Sequence, residues 1–339
     1  MRKFTAFAMV MAVCMMVVFS FGCSDDDDNG GTTPVATELE KLVEYMTTNN
    51  LDLPAMMASW TITAQSLMDN GPENYFIMDI RTSDLYGPDS SGANGVVDFE
   101  DGHIAGAHKV AMADVVTYEA ANNTTNLPVV VYCYTGHTAG HAVMALRLSG
   151  ETDAKSMLWG FSAWNSDFDL WTNNTGNVAL DYPDAWATTA PPDLPSNTGH
   201  PTLNTGEATG AAILAYQLNH AVLDGLNGIT KTDVLSAYED YHVICYWAEA
   251  DWTHYGHITG AYQVTPGTLG LETLNILDPA GVNVIYCWSG QSASMVAAWL
   301  NVLGYDGRTL RYGANGMIYD DLETSKWSGS LDFDYVTGP

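Results

Sequence analysis

The chain begins with one long apolar run and then changes to short apolar segments separated by turn residues. Arg2 and Lys3 precede Phe4 to Phe21, a stretch without charge. A short positive segment followed by an apolar run is the pattern of an export signal. Further on, Phe76 to Ile80, Val129 to Tyr132 and Ser156 to Trp159 are brief runs rich in β-formers and bounded by turn residues. They predict buried strands of a parallel sheet. Thr138 to Ser149 has a helical pattern between two of them. Val243 to Tyr246, Val282 to Tyr286 and Thr309 to Tyr312 repeat the order. Strands alternating with helices predict an α/β fold of two domains, each a mainly parallel sheet flanked by helices.

The recurrence is also literal. Gly102-His103-Ile104-Ala105-Gly106-Ala107 returns as Gly256-His257-Ile258-Thr259-Gly260-Ala261, and Val130-Val131-Tyr132-Cys133 returns as Val284-Ile285-Tyr286-Cys287. Both pairs share one offset, which marks an internal duplication. Asp79-Ile80-Arg81 aligns with Cys245-Tyr246-Trp247, and the first copy carries an extra Gly-, Ser- and Asn-rich loop around Pro88 to Val97. The expected organisation is a signal at 1–22, an acidic and Gly-Thr-rich tether at 23–37, domain one at 38–171, a linker at 172–206 and domain two at 207–339.

Composition narrows the function classes. Hydrophobic residues make up 47% of the 339, enough for packed cores. The net charge is −29 with 11 Lys and Arg, which excludes a basic surface for nucleic acid or anionic lipid. Gly22-Cys23-Ser24 after the apolar run resembles a bacterial lipoprotein signal, with Ser20 where such signals usually carry Leu. It implies lipidation at Cys23 and an anchor facing the periplasm, on the outer membrane given Ser24. An ordinary signal peptide or an uncleaved apolar anchor is the alternative. Cys133, Cys245 and Cys287 remain for the body, too few and too odd for a disulfide scaffold.

The strongest chemical pattern is Cys133-Tyr134-Thr135-Gly136-His137-Thr138-Ala139, twinned by Cys287-Trp288-Ser289-Gly290-Gln291-Ser292-Ala293. A strand ends at the cysteine, a Gly-containing loop follows and a helix begins. This places a thiol at the carboxyl end of a parallel strand, where open α/β sheets build their sites. Loop N–H groups and the helix N-terminus favour thiolate, and the same cradle suits the outer sulfur of a persulfide. The expectation is therefore a lowered cysteine pKa.

With these motifs the chain resembles the rhodanese family of sulfurtransferases. The resemblance rests on Asp79-Ile80-Arg81, the Gly-His-Ile-x-Gly-Ala turn, the Cys-x-x-Gly-x-[Thr/Ser]-Ala loop and Leu158-Trp159-Gly160-Phe161 with Trp164. It implies a persulfide mechanism: the cysteine takes sulfur from thiosulfate or a mercapto acid and passes it to cyanide or a thiol. Cys133 would be the principal nucleophile and Cys287 a second. Tyr134, Thr135, Gly136, His137, Thr138, Trp288, Ser289, Gly290, Gln291 and Ser292 would bind substrate, with Asp79 and Arg81 supporting the loop. The sequence departs from thiosulfate-using members in carrying no Arg or Lys in either loop, and the second copy lacks the Asp-x-Arg pair.

Other readings remain beside it. Cys133 and Cys287 are alternatively plain buried cysteines, and Cys245 a small residue under the second loop or a disulfide or relay partner of Cys287. His103 and His257 serve a turn. His137 and His141 lie four apart, but no acidic or fourth ligand accompanies them, so no metal is expected. No Gly-rich phosphate loop or haem motif is visible, and no cofactor is expected. A carrier that holds persulfide or polysulfide without turnover is the alternative to an enzyme.

Overall fold

In this computed structural model, residues 35–81 and 101–338 are described. The apolar N-terminal run, Cys23 and the loop around Pro88 to Val97 lie outside the described residues. Residues Ala36–Pro339 form one compact unit.

The first half of that unit contains β1 (Thr61–Ile62), β2 (Phe76–Asp79), β3 (His108–Lys109), β4 (Val129–Tyr132) and β5 (Lys155–Met157). They make one sheet in the order β1-β5-β4-β2-β3, with every pairing parallel. Strands β2 and β4 are buried along their whole length, as a sheet covered on both faces requires. Further along come β6 (Trp186–Ala187), β7 (Gly228–Ile229), β8 (His242–Cys245), β9 (His257–Ile258), β10 (Tyr262–Gln263), β11 (Val282–Tyr286) and β12 (Asp306–Leu310). Five of these form a second parallel sheet, β10-β8-β11-β12-β7. Read from its other end, its strand order is that of the first sheet moved to the second copy of the repeat. The architecture is α/β, with parallel sheets flanked by helices.

The two halves share a core. The helix His137–Leu148 and its twin Gln291–Val302 are buried along nearly all their residues, and side chains from both belong to one apolar cluster. A helix apolar on all sides is one packed on all sides. The chain ends cross between halves. The N-terminal helix Glu38–Thr48, capped by Thr37 and Glu40, places its Glu38 carboxylate on the N–H groups of Thr205 (2.7 Å) and Gly206 (2.9 Å). The C-terminal segment runs back over the first half: Leu331 and Phe333 donate to the carbonyls of Ala163 and Trp164, and Val336 pairs with His103.

The stretch read as a linker is packed rather than free. Strand β6 pairs antiparallel with β9, Trp252 donates to the Thr189 carbonyl at 2.9 Å, and Lys231 donates to the Asn174 carbonyl at 2.7 Å. Its Pro, Asn and Thr residues hid this because short turns and extended backbone leave no periodic pattern. Trp159 and Tyr312, read as strand ends, are turn residues with φ of 67° each.

Candidate active site

The same local logic builds both cysteine loops. Strands β4 and β11 end one residue before Cys133 and Cys287, at the carboxyl edge of their sheets. Each loop turns through a glycine at positive φ, Gly136 at 87° and Gly290 at 83°. Each of these glycines donates its N–H to the sulfur before it, at 3.1 Å for Gly136 and 3.2 Å for Gly290. A side chain would fit at neither: a Cβ on Gly136 would meet Gln291, and one on Gly290 would meet the Leu310 carbonyl.

The outer wall of each loop is a second tight turn. Trp159-Gly160 and Tyr312-Gly313 all have positive φ. Phe161 and Ser162 donate to the carbonyls of Cys133 and Tyr134, and Ala314 and Asn315 donate to those of Cys287 and Trp288. This satisfies the loop carbonyls from behind and leaves loop N–H groups for the sulfur. Gly160 and Gly313 pass so close that a Cβ would lie 2.6 Å from the Cys133 carbonyl oxygen and 2.2 Å from that of Cys287.

The Gly-His-Ile turns have a matching role. The N–H of Ile104 reaches the Tyr132 hydroxyl and that of Ile258 the Tyr286 hydroxyl, both at 3.3 Å. The residue before each cysteine thereby ties its strand to the turn.

Burial decides the electrostatics. Cys133 is 2% exposed, and burial raises its thiol pKa; the N–H groups of Ala139, Thr135, Gly136 and Thr138 pull it back only in part. The expected lowering is therefore corrected: the amide cradle is present, but loss of water costs the anion more than the amides return. Cys245 is fully buried, and burial raises its thiol strongly while the Tyr286 hydroxyl opposes this. All three cysteines are free thiols, so no disulfide joins Cys245 to Cys287.

Cys287 is equally buried by area, but it lines two clefts. One, of about 440 Å³, is walled by Trp60, Tyr246, Trp247, Trp288 and Pro266, with Asp251 and Ser292. The other, of about 330 Å³, runs past Trp159, Leu158, Ser289 and Lys326. Both contain Trp60, Cys287, Trp288 and Ser292, so they meet at the cysteine.

Other candidate residues fall elsewhere than the sequence suggested. His137 is 3% exposed and crosses to the other half. Its Nε2 lies 2.7 Å from the Ser289 carbonyl and 3.1 Å from the Tyr312 N–H, and its Nδ1 lies 2.7 Å from the Thr135 hydroxyl. Burial holds its pKa down at about 4, with Arg311 adding to the effect, so the ring is neutral at pH 7. Gln291, its counterpart in the repeat, crosses the opposite way: its Oε1 accepts from the Trp159 N–H at 3.0 Å. Both side chains lock the halves together instead of lining a loop opening. Tyr134 and Thr135 are buried, and Thr138 is half-buried. His141 is fully buried, and its pKa is pushed down to about 4 by burial. Among the described residues, no group of three metal-binding side chains exists.

Asp79 and Arg81 form a buried ion pair, 2.5 Å at its closest, and Arg81 also donates to the Gly102 carbonyl. The guanidinium lies 4.1 Å from the centre of the Phe161 ring and 5.4 Å from that of Tyr134. It therefore braces the first cysteine loop through aromatic faces. The second half answers with Trp247, which stacks on Trp288 at 4.5 Å and 22°. Sequence reasoning missed the cleft-forming role of Trp60 and Trp247. The repeat held the signal for Trp247, since it stands where the first copy has Arg81; no signal marked Trp60.

Residues 63–167 match the family described as Rhodanese-like domain. The matched stretch is under a third of the chain. It carries the Cys133 loop and all of the first sheet except β1. No curated protein matches the chain. Among solved structures, the chain is similar to a thiosulfate sulfurtransferase from Pseudomonas aeruginosa, at 17% identity over 88% of this chain and 49% of that one, TM-score 0.29. It is similar to a 3-mercaptopyruvate sulfurtransferase from Leishmania major, at 16% identity over 77% and 74%, TM-score 0.28. A rhodanese-related protein from Thermoplasma volcanium covers 31% of this chain and 88% of its own at 19% identity, TM-score 0.23. These likenesses are distant and decide neither substrate nor mechanism.

Proposed function

We propose that the chain is a sulfurtransferase built from two rhodanese-like domains in tandem, and that Cys287 is its working nucleophile. The observation that carries this is the twin amide-lined cysteine loop, of which the second opens onto clefts. In the first half-reaction the Cys287 thiolate attacks the sulfane sulfur of a donor. A sulfur–sulfur bond forms, the donor's carrier leaves with its electron pair, and a cysteine persulfide remains. A thiol or cyanide then removes the outer sulfur and frees the thiolate, so ping-pong kinetics follow. The Gly290 N–H stabilises the persulfide anion as it does the sulfur it already faces.

Cys133 has the same cradle but a thiol held protonated by burial. Its place in the proposal is secondary: persulfide storage, or service to the fold. Export, removal of residues 1–22 and a lipid anchor on Cys23 in the outer membrane complete the reading, and they rest on the sequence alone.

Steady-state sulfur transfer in single-cysteine variants tests the assignment. Cys287→Ser should abolish turnover, and Cys133→Ser should retain most of it. Normal turnover by Cys287→Ser would refute it.

A further inference from the structure

The larger cleft at Cys287 has a composition that its motif did not announce. Its walls are Trp60, Trp247, Trp288 and Tyr246, and its charged lining residue is the carboxylate of Asp251. The second loop carries no cationic side chain. Where the first half sets the Asp79–Arg81 ion pair beside its loop, the second half has Cys245 and Trp247. Trp247 and Trp288 stack face to face, and Tyr255 meets Trp288 edge-on at 5.3 Å. Among the described residues, the buried Trp247 indole N–H has no hydrogen-bond partner.

Such a cleft is badly suited to a small dianion. In this cleft thiosulfate would shed water from two charges beside a carboxylate, while the Lys326 ammonium lines only the smaller cleft. A flat apolar group loses nothing there and gains contact with tryptophan faces.

We propose that the Cys287 cleft selects sulfur donors whose sulfane sulfur is carried by an aromatic or comparably flat apolar group, and that it discriminates against thiosulfate. This rests on Cys287 being a sulfur-accepting nucleophile. The step balances without an added oxidant: Cys–S⁻ and Ar–SO₂–S⁻ give Cys–S–S⁻ and the sulfinate Ar–SO₂⁻. The donor's sulfur–sulfur bond breaks, the sulfinate leaves with its electron pair, and the sulfane sulfur supplies the oxidising equivalent that the persulfide needs.

The test uses the full chain and three donors: benzenethiosulfonate, methanethiosulfonate and thiosulfate. Persulfidation of the Cys287 peptide is followed by mass spectrometry, and each rate is divided by that of the same donor with a small free thiol. The expected order is benzenethiosulfonate, then methanethiosulfonate, then thiosulfate, with about tenfold between first and second from ring stacking. Trp288→Leu should erase that gap. Equal normalised rates, or thiosulfate fastest, would overturn the selectivity and leave sulfur transfer standing. Failure of every donor to label a Cys287 that iodoacetamide still alkylates would remove both.

Discussion

His137 makes the junction between the two halves sensitive to acid by a calculable amount. Its ring is buried and neutral, with a pKa near 4, whereas an unfolded histidine titrates near 6.5. The folded state therefore binds fewer protons than the unfolded state between these values. Its stability contribution is intact above pH 6.5 and is lost as pH falls toward 4. That gap corresponds to about 3 kcal/mol in full and to about 2 kcal/mol between pH 7 and pH 4.5. The chain has 40 acidic residues, which also titrate in this range, so the wild-type curve alone cannot isolate one imidazole. His137→Gln provides the comparison, because Gln291 already performs the reciprocal crossing contact. Urea melts at both pH values should show the variant about 1 kcal/mol weaker at pH 7, from lost ring packing on Trp171 and Tyr312, but losing about 2 kcal/mol less on acidification. Equal acid losses in the two proteins would refute the assignment of a buried neutral ring to this junction.

Other substitutions probe the remaining supports. Gly313→Ala forces a Cβ onto the Cys287 carbonyl at positive φ, and should cost about 2–4 kcal/mol in denaturant melts together with the reactivity of Cys287. Arg81→Leu leaves the Asp79 carboxylate buried without its partner, and should destabilise by about 3–5 kcal/mol in the same assay. Trp327→Ala removes a buried side chain of the crossing C-terminal segment, and should cost about 3–5 kcal/mol by thermal melting. Alkylation of Cys133 should be slow at neutral pH and rise only on the alkaline side of an ordinary thiol, since burial raises its pKa; a neutral-pH plateau would contradict this.

The sheet strands were legible because a parallel sheet covered on both faces demands short unbroken apolar runs, and Val129–Tyr132 and Val282–Tyr286 supply them. The loops were legible because glycine is needed where the backbone must bend toward a sulfur. The crossing ends were not. Glu38 docks on Thr205 and Gly206, and Phe333 on Trp164, through contacts between residues more than a hundred positions apart. His137 and Gln291 look like loop residues in one dimension because their partners lie in the other copy. The clefts at Cys287 were also hidden, because they are walled in part by Trp60, far away in sequence.

The central claim is that Cys287 lies in an amide cradle reachable through a cleft. Timed alkylation of the native chain at neutral pH, with each cysteine peptide quantified by mass spectrometry, tests it directly. Cys287 should react first, give an adduct one sulfur atom heavier after loading with a sulfur donor, and leave Cys245 unmodified. A Cys287 as inert as Cys245 in the folded protein would contradict the account.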